Sequence, residues 1–248
     1  MMKTAIMLST YHPNAAFLEA QLASIQAQTL PCTLLQRDDS ETRLGAMRSF
    51  ETMLQRAEGF DYYAFADQDD VWKPEKMAVL MEVMQQEEKQ YGKETPVVVH
   101  CDLEVVDADL KPVAASFWKY AGLRPDIMDE NLHFLTISNT VTGCAMLFNA
   151  AARNACLPFG SQAYMHDQWI AQTTLRVGGK VVPVPVPLVY YRQHGHNTLG
   201  AVEHRFGLRD LSLKRKLFRQ SYRAGKGICW NTLAGFLFWK TRHLIARL

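Results

Sequence analysis

The sequence predicts an α/β protein with a mixed, mostly parallel sheet, helices on both faces, and a basic helical extension at its end. Three observations predict this fold class. Strand-like and helix-like segments alternate through the first hundred residues, polar side chains follow several strands, and the charge changes sign late in the chain. Residues 1–200 carry 16 Lys and Arg against 23 Asp and Glu, whereas residues 201–248 carry 11 against 2. We therefore expect a globular domain at 1–200 and a basic amphipathic helical extension at 201–248.

The spacing of apolar residues predicts the elements in order. Strands are expected at 4–8, 33–36 and 62–66, with helices at 14–28 and 44–57 between them. A third helix follows Pro74, a residue that suits a first helical turn. A fourth strand is expected to run from residue 97 and to end at His100–Asp102, and a fifth is expected at 141–148. A last strand, rich in Val and Pro, precedes His194.

Composition excludes several classes of protein. The five cysteines show no Cys-X-X-Cys spacing, which disfavours a disulfide framework and a zinc site and indicates a reducing compartment. The N-terminus does not resemble a secretory signal, and no run of 18 apolar residues predicts a membrane span. Neither a dinucleotide-binding fingerprint nor a P-loop occurs. We expect a cytoplasmic protein without a nucleic-acid partner.

The segment 65–72 (FADQDDVW) is the most informative motif. Asp67, Asp69 and Asp70 follow an apolar strand directly, and such closely spaced carboxylates repel one another unless a cation lies between them. A divalent metal ion with a bound phosphate group satisfies this requirement. A turn rich in Asp is the alternative, since such turns follow strands in many folds.

Similar polar groups are predicted at other strand ends. Ser9–Thr10, Asp38–Asp39, Asp67–Asp69 and His100–Asp102 each follow a strand. Ligands of open α/β sheets bind at the carboxyl ends of the strands. These groups are therefore expected to form the rim of one active site.

Five short motifs occur in an order that identifies a family. They are STY at 9–11, RDDS at 37–40, FADQDDVW at 65–72, HDQW at 166–169 and YYRQH at 190–194. Together they resemble the family 2 glycosyltransferases of the GT-A fold, over residues 3–198. Within that family the chain is similar to the rhamnosyltransferase-like branch of bacterial polysaccharide synthesis, which builds cell-envelope glycans such as O-antigen.

The resemblance implies a donor site. Ser9, Thr10 and Tyr11 would lie beside the nucleotide, Asp39 would contact the base, and Asp67 would face the ribose. Asp69 would bind Mg²⁺ or Mn²⁺, which would bridge the two phosphates of a dTDP- or UDP-sugar. The expected cofactor is therefore a divalent cation with hard oxygen ligands.

Asp167 matches the catalytic base of the family. It would take the proton of an acceptor hydroxyl as that oxygen attacks the anomeric carbon, and the configuration would be inverted. Positioned bases of this kind typically contribute a rate factor of about 10²–10⁴. The alternative is structural, because Asp167 begins a helix-like apolar pattern where Asp is a favoured capping residue.

The remaining site candidates rest on less specific signals. His194 is the candidate for a further metal or diphosphate contact, with His196 as the alternative. Arg192 could pair with phosphate or hold an acid such as Asp102. Contacts to acceptor or phosphate are also expected from Trp72, His166 and Trp169, although large aromatic residues more often lie in a core.

The chain departs from the family pattern at three places. The second-strand motif usually contains a glycine before its serine, and here Asp38, Asp39 and Ser40 are contiguous. Arg43 stands where asparagine is common, and Gln168 stands where an aromatic residue is frequent. The first departure bears on base contact, and the last on the choice of acceptor.

The extension is predicted to form one or two helices over 208–248. Basic residues with Trp, Phe and Leu describe a helix that lies at a membrane interface, and packing on the domain or homodimer formation are the alternatives.

We expect an inverting, metal-dependent enzyme at the inner face of the cell membrane. It would move a sugar, rhamnose from dTDP-rhamnose by the resemblance, to a lipid-linked or oligosaccharide acceptor of a growing surface polysaccharide. The alternatives are a non-catalytic glycan- or nucleotide-binding module of the same fold and a nucleotidyltransferase, which would normally show a Gly-rich basic loop after the first strand.

Overall fold

The computed structural model describes residues 2–194 and 211–246. Within them lies one eight-stranded sheet with helices on both faces. Its strands are β1 (Thr4–Thr10), β2 (Thr33–Asp38), β3 (Tyr62–Ala66), β4 (Val71–Trp72), β5 (Val97–Val106), β6 (Pro112–Ala114), β7 (Met146–Asn149) and β8 (Lys180–Arg192). The helices are α1 (Ala15–Gln26), α2 (Ala46–Arg56), α3 (Lys76–Tyr91), α4 (Phe117–Tyr120), α5 (Pro125–Met128), α6 (Leu132–Ile137), α7 (Ala150–Cys156), α8 (His166–Arg176), α9 (Leu211–Gly225) and α10 (Leu233–Ala246).

The sheet has the strand order β2-β1-β3-β7-β5-β8-β4, and β6 pairs with β5 at one side. The pairs β1–β2, β1–β3 and β5–β8 are parallel, while β7 runs antiparallel to both of its neighbours. The predicted fold class, a mixed and mostly parallel sheet covered by helices, is confirmed. Parallel strands place their carboxyl ends at one edge, which brings the ends of β1, β2 and β3 together.

Alternation along the strands explains why helices cover both faces. Ile6 and Leu8 of β1 pack in a core with residues of α1 and α3, whereas Ala5 and Met7 pack in a second core with residues of α2, α7 and α8. Successive side chains of a strand point to opposite faces, so one buried strand supplies both cores.

Local signals set several boundaries correctly. The Asn14 side chain accepts hydrogen bonds from the backbone N–H groups of Ala16 and Phe17, which is the standard N-cap arrangement. The third strand occupies the predicted range, Tyr62–Ala66. No helix in the described ranges has the length and apolar character that a membrane crossing requires.

β1 and β2 each continue two residues beyond their predicted ends, and two other expected strands differ more from their predicted bounds. β5 does not end at His100–Asp102 but continues to Val106, because its far half pairs in parallel with β8. His100 and Asp102 are buried there, His100 against Asp129 and Asp102 against Ser116 and the Trp118 backbone. The expected fifth strand is a 3₁₀ turn at Gly143–Ala145 followed by the short β7.

Candidate active site

A cleft of about 960 Å³ opens at the carboxyl ends of β1, β2 and β3. The start of α8 and the chain just beyond β8 close its other sides. The predicted site residues that line it are Ser9, Thr10, Tyr11, Asp39, Asp67, Asp69, His166, Asp167 and His194. His100–Asp102 was expected at this rim and does not line the cleft, because the pairing with β8 holds that segment inside the sheet.

Three predicted residues lie outside the lining of the cleft. Trp72 is buried in the core, and the indole N–H of the buried Trp169 donates to the Cys156 carbonyl. The Arg192 guanidinium donates to the backbone carbonyls of Asp69 and Ala108, at 2.7 and 2.6 Å, and covers the ring of Phe17. Arg192 thus joins the end of β8 to the acidic turn, while the Asp102 carboxylate accepts from the Ser116 hydroxyl and the Trp118 N–H.

Gln68, between the two acids of the motif, connects the acidic turn to the loop after β1. Its side-chain oxygen accepts from the Tyr11 N–H at 2.7 Å, and its side-chain amide donates to the Tyr11 carbonyl at 3.2 Å. Ser9 contacts Ser49 of α2 through their hydroxyls at 2.7 Å. The two segments predicted to hold the nucleotide therefore share direct hydrogen bonds.

Asp39 is buried at the end of β2 and organises the loop that follows it. Its carboxylate accepts from the Thr42 hydroxyl and from the backbone N–H groups of Leu44 and Gly45. Burial raises the pKa of Asp39, but these hydrogen bonds outweigh it and hold the pKa below its ordinary value. Gly45 has φ of 79°, a conformation that glycine adopts readily.

The acids after β3 repel one another as the motif predicted. The pKa of Asp67 is raised to about 7 by burial and then by the charges of Asp69 and Asp167. Asp70 is fully buried and accepts from the backbone N–H of Arg192, and burial places its pKa well above the ordinary value. Burial is the larger cause of both raised pKa values, and the negative charges of the neighbouring acids add to it.

His194 and Asp69 meet at the mouth of this acidic region, where a ring nitrogen of His194 lies 2.6 Å from Oδ2 of Asp69. The two residues are 125 positions apart, and the return of β8 alongside β5 brings them together. His196, the alternative, lies outside the described residues.

The donor set fits a divalent cation on the cleft side. Carboxylate oxygens of Asp67 and Asp69 suit Mg²⁺ and Mn²⁺, and a cation there would relieve the repulsion that raises the pKa of Asp67. A second group, Asp67, Asp70 and Cys144, has ligand atoms within 4.8 Å of one another. Burial keeps the pKa of the Cys144 thiol well above its usual range, so sulfur is neutral and a poor ligand for a hard cation.

Lys76 is a fully buried cation beneath the acids. Its Nζ donates to the Cys144 carbonyl at 2.6 Å and lies 3.0 Å from the centre of the Trp72 ring. Burial lowers the pKa of Lys76 to about 8, while the charges of Asp70 and Asp67 oppose that shift. Lys76 therefore supplies part of the positive charge that the acidic turn needs.

Asp167 lies at the first turn of α8 with its carboxylate at the cleft. Oδ2 accepts from the Gly143 backbone N–H at 3.1 Å, and Oδ1 accepts from the N–H of Gln168. Burial raises its pKa to about 6, and these two hydrogen bonds limit the rise. The residue is not the N-cap of α8, which is Met165. A carboxylate with this pKa is largely ionised near pH 7 and can accept a proton.

His166 packs beside Asp167 between the rings of Phe50 and Phe65, with centroids 4.4 and 4.9 Å away. Burial alone lowers its pKa to about 3, so the imidazole is neutral. Within the described part of the chain neither ring nitrogen has a hydrogen-bond partner. A Cβ added at Gly143 would lie 2.5 Å from Nε2 of His166, which explains why glycine occupies that position.

Sequence reasoning missed Gln68, Lys76 and Gly143 as parts of the site. Gln68 was signalled by its place between two acids of the motif. Lys76 carries no signal in the sequence that marks it as part of a site, and only packing shows that it is buried.

Comparison with known proteins supports the fold. No protein-family model matches the chain, and no curated protein matches it. The structure is similar to crystal structures of residues 1–349 of S. aureus TarS, in complex with UDP-GlcNAc (TM-score 0.56, 88% of this chain and 66% of that chain) and with UDP (TM-score 0.54, 77% and 61%), each at 14% identity. This chain thus spans about two thirds or less of the TarS chains, and what it shares with them is the fold.

Proposed function

We propose that this protein is an inverting glycosyltransferase that uses a nucleotide-diphospho-sugar donor. The observation that carries the proposal is the shared cleft of Asp67, Asp69 and Asp167, which are close enough for the charges of Asp69 and Asp167 to raise the pKa of Asp67. Such a cleft offers one end that can bind a cation, at Asp67 and Asp69, and one end with a general base, at Asp167. The TarS structures of the same fold bind UDP-GlcNAc and UDP, which supports a nucleotide-sugar donor here.

The proposed donor site lies at the ends of β1, β2 and β3. Ser9, Thr10 and Tyr11 would flank the nucleotide, Asp39 would contact the base, and Asp67 would face the ribose. Asp39 keeps capacity for a further hydrogen bond, since its Oδ2 accepts one bond, from Gly45. Asp69 and His194 would hold Mg²⁺ or Mn²⁺. When bound, such a cation supplies Lewis-acid stabilisation of the diphosphate leaving group.

Asp167 would act as the base. The acceptor hydroxyl gives its proton to the Asp167 carboxylate while its oxygen forms a bond to the anomeric carbon. The bond from that carbon to the diphosphate oxygen breaks, and the electron pair leaves with the nucleoside diphosphate. The hydrogen bonds from Gly143 and Gln168 fix the carboxylate for this transfer.

The proposed acceptor is a hydroxyl of a growing bacterial surface polysaccharide, either lipid-linked or a free oligosaccharide. The proposed site of action is cytoplasmic, at the inner face of the cell membrane. The donors to be tested include dTDP-rhamnose, which the resemblance implies, and UDP-GlcNAc, which the TarS structure binds.

The test is a thermal-shift panel of UDP, dTDP, GDP and CMP, each with and without Mn²⁺ or Mg²⁺. A ligand at about 100 times its dissociation constant stabilises a protein by about 2.7 kcal/mol. We expect stabilisation by UDP or dTDP that requires the metal ion. The matching sugar donors are then assayed for release of nucleoside diphosphate with the parent and with Asp167→Asn.

Each contrary result has a meaning. Donor binding without turnover by the parent would identify a binding module. Consumption of a nucleoside triphosphate with release of pyrophosphate would identify a nucleotidyltransferase. Equal transfer by Asp167→Asn and the parent would remove Asp167 from the mechanism.

A further inference from the structure

The outer face of α10 is apolar and open to solvent. Five side chains of this face are between 44% and 63% exposed, and we call them the α10 apolar face: Leu233, Leu237, Phe238, Leu244 and Ile245. The inner face is also apolar, and it is covered. Phe236 is buried with Ile137 and Trp230, and Trp239 stacks on His133 at 3.8 Å. The packing on α6 therefore does not account for the outer face.

The same helical unit is strongly basic. Residues 211–246 contain no Asp or Glu and eight basic residues, namely Lys214, Arg215, Lys216, Arg219, Arg223, Lys226, Lys240 and Arg242. Of those whose side chains are described, Arg215, Arg219, Arg223, Lys226 and Arg242 are exposed. Clustered exposed apolar side chains mark a binding surface, and the surrounding charge indicates an anionic partner.

A second copy of the chain is a poor fit for this surface. Symmetric dimers bring the same patch of both subunits together, and here that contact would oppose two basic units that have no acid to pair with. A polyanion without lipid would satisfy the charges but would leave the apolar side chains exposed. An anionic bilayer satisfies both, because apolar side chains enter the acyl boundary while Lys and Arg contact the headgroups.

We propose that the α10 apolar face and the basic residues of α9 and α10 form a docking surface for an anionic lipid bilayer. α10 has 14 residues, too few to span a bilayer and enough to lie along its surface. The chain would then bind membranes peripherally, through this helical unit.

The docking unit lies on the side of the molecule that carries Asp167. The Ser221 hydroxyl of α9 donates to the Ile137 carbonyl of α6 at 2.9 Å. The Gln168 side chain, next to Asp167, donates to the Thr136 carbonyl of the same helix. Docking would thus bring the end of the cleft that holds Asp167 near the lipid surface, where a lipid-linked acceptor would be. This last step rests on the proposed function, whereas the docking itself does not.

The test is sedimentation of the full chain with vesicles of phosphatidylcholine, alone or mixed with phosphatidylglycerol. We expect binding to the mixed vesicles that weakens as salt is added, and little binding to phosphatidylcholine alone. Leu237→Asp/Phe238→Asp should lower the affinity for mixed vesicles about tenfold or more. The matched control is Leu110→Asp/Val113→Asp, which changes two exposed apolar residues outside α9 and α10 and should bind as the parent does.

A second variant keeps the proposal testable if the first one unfolds. Arg219→Glu/Arg223→Glu changes exposed residues of α9 and should abolish the preference for phosphatidylglycerol. A parent that stays in the supernatant would overturn the proposal, as would unchanged binding by both α10 and α9 variants. A dimer that Leu237→Asp/Phe238→Asp dissociates, without vesicle binding by the parent, would assign the face to a second copy. The assay contains no sugar donor, so its failure leaves the proposed transfer reaction untouched.

Discussion

The backbone N–H of Gly143 donates to Oδ2 of Asp167 at 3.1 Å. The next residue in the same turn, Cys144, accepts from buried Lys76 through its carbonyl at 2.6 Å. One short turn therefore connects the cation beneath the acidic motif to the proposed base. The backbone of this turn therefore links the two ends of the cleft. Substitutions in the turn should change the positions of both Asp167 and Lys76.

The Gly143→Ala variant tests this link at a position that has no room for a side chain. A Cβ there would lie 2.5 Å from Nε2 of His166, and that ring is held between Phe50 and Phe65. The turn must shift, which moves the N–H away from Asp167. We expect kcat to fall on the order of 10²-fold, the loss that a displacement of about 1 Å can cause.

Two controls accompany this variant. His166→Ala in the Gly143→Ala background removes the clash and should restore part of kcat. Gly235→Ala adds a Cβ whose nearest neighbours are 3.5 Å away, within a helix, and should leave kcat unchanged. Normal turnover by Gly143→Ala alone would contradict the role given to this turn.

The rate of transfer should fall as the pH drops through about 6. Asp167 acts in its ionised form, and burial raises its pKa to about 6, so the ionised fraction decreases below that pH. His166 does not cause this fall in rate, because its pKa is lowered to about 3 and the imidazole stays neutral over this pH range. The measurement is kcat against pH at saturating donor and metal ion. A profile that is flat from pH 8 to pH 5 would exclude a base with this pKa.

The same pKa predicts a change in stability with pH. The folded pKa of Asp167 lies above its value of 3.8 in the unfolded chain, so its ionised form destabilises the fold above pH 6, and protonation relieves this as the pH falls toward 3.8. The advantage of Asp167→Asn in free energy of unfolding over the parent should shrink by about 2 kcal/mol between pH 8 and pH 4. Urea unfolding of both proteins at several pH values measures it, and a pH-independent difference would refute it.

Lys76 and Lys73 provide a matched pair for stability. Lys76→Ala removes a buried side chain and leaves the Cys144 carbonyl without its donor, so the loss in free energy of unfolding should be about 2–4 kcal/mol. Lys73 is partly exposed and pairs with Glu104 at 3.2 Å, so Lys73→Ala should cost about 1 kcal/mol or less. Equal losses in urea unfolding would show that Lys76 does not hold the turn.

Asp69→Asn and His194→Ala should weaken the binding of the metal ion at the acidic end of the cleft. Each removes one of two groups that meet at 2.6 Å in the cleft, and the metal concentration for half-maximal transfer should rise about tenfold or more. Asp109→Asn, on an exposed acid, is the control. A titration that matches the parent for both variants would place the cation elsewhere.

The sequence by itself determined the α/β class, the order of the first elements and the positions of the Asp38–Asp39 and Asp67–Asp69 motifs at the ends of β2 and β3. These follow from local rules. Apolar periodicity marked β3 to the residue, Asn14 marked the start of α1, and Asp residues directly after a strand mark its carboxyl end.

Only the tertiary structure decided which of those residues face the cleft. The pairing of β5 with β8 buried His100 and Asp102 and carried His194 to Asp69, while packing placed Trp72, Trp169 and Lys76 inside the core. Periodicity defines a face of an element but not the partner that covers it. Contacts between residues far apart in the chain depend on strand pairing and side-chain packing, which no short motif specifies.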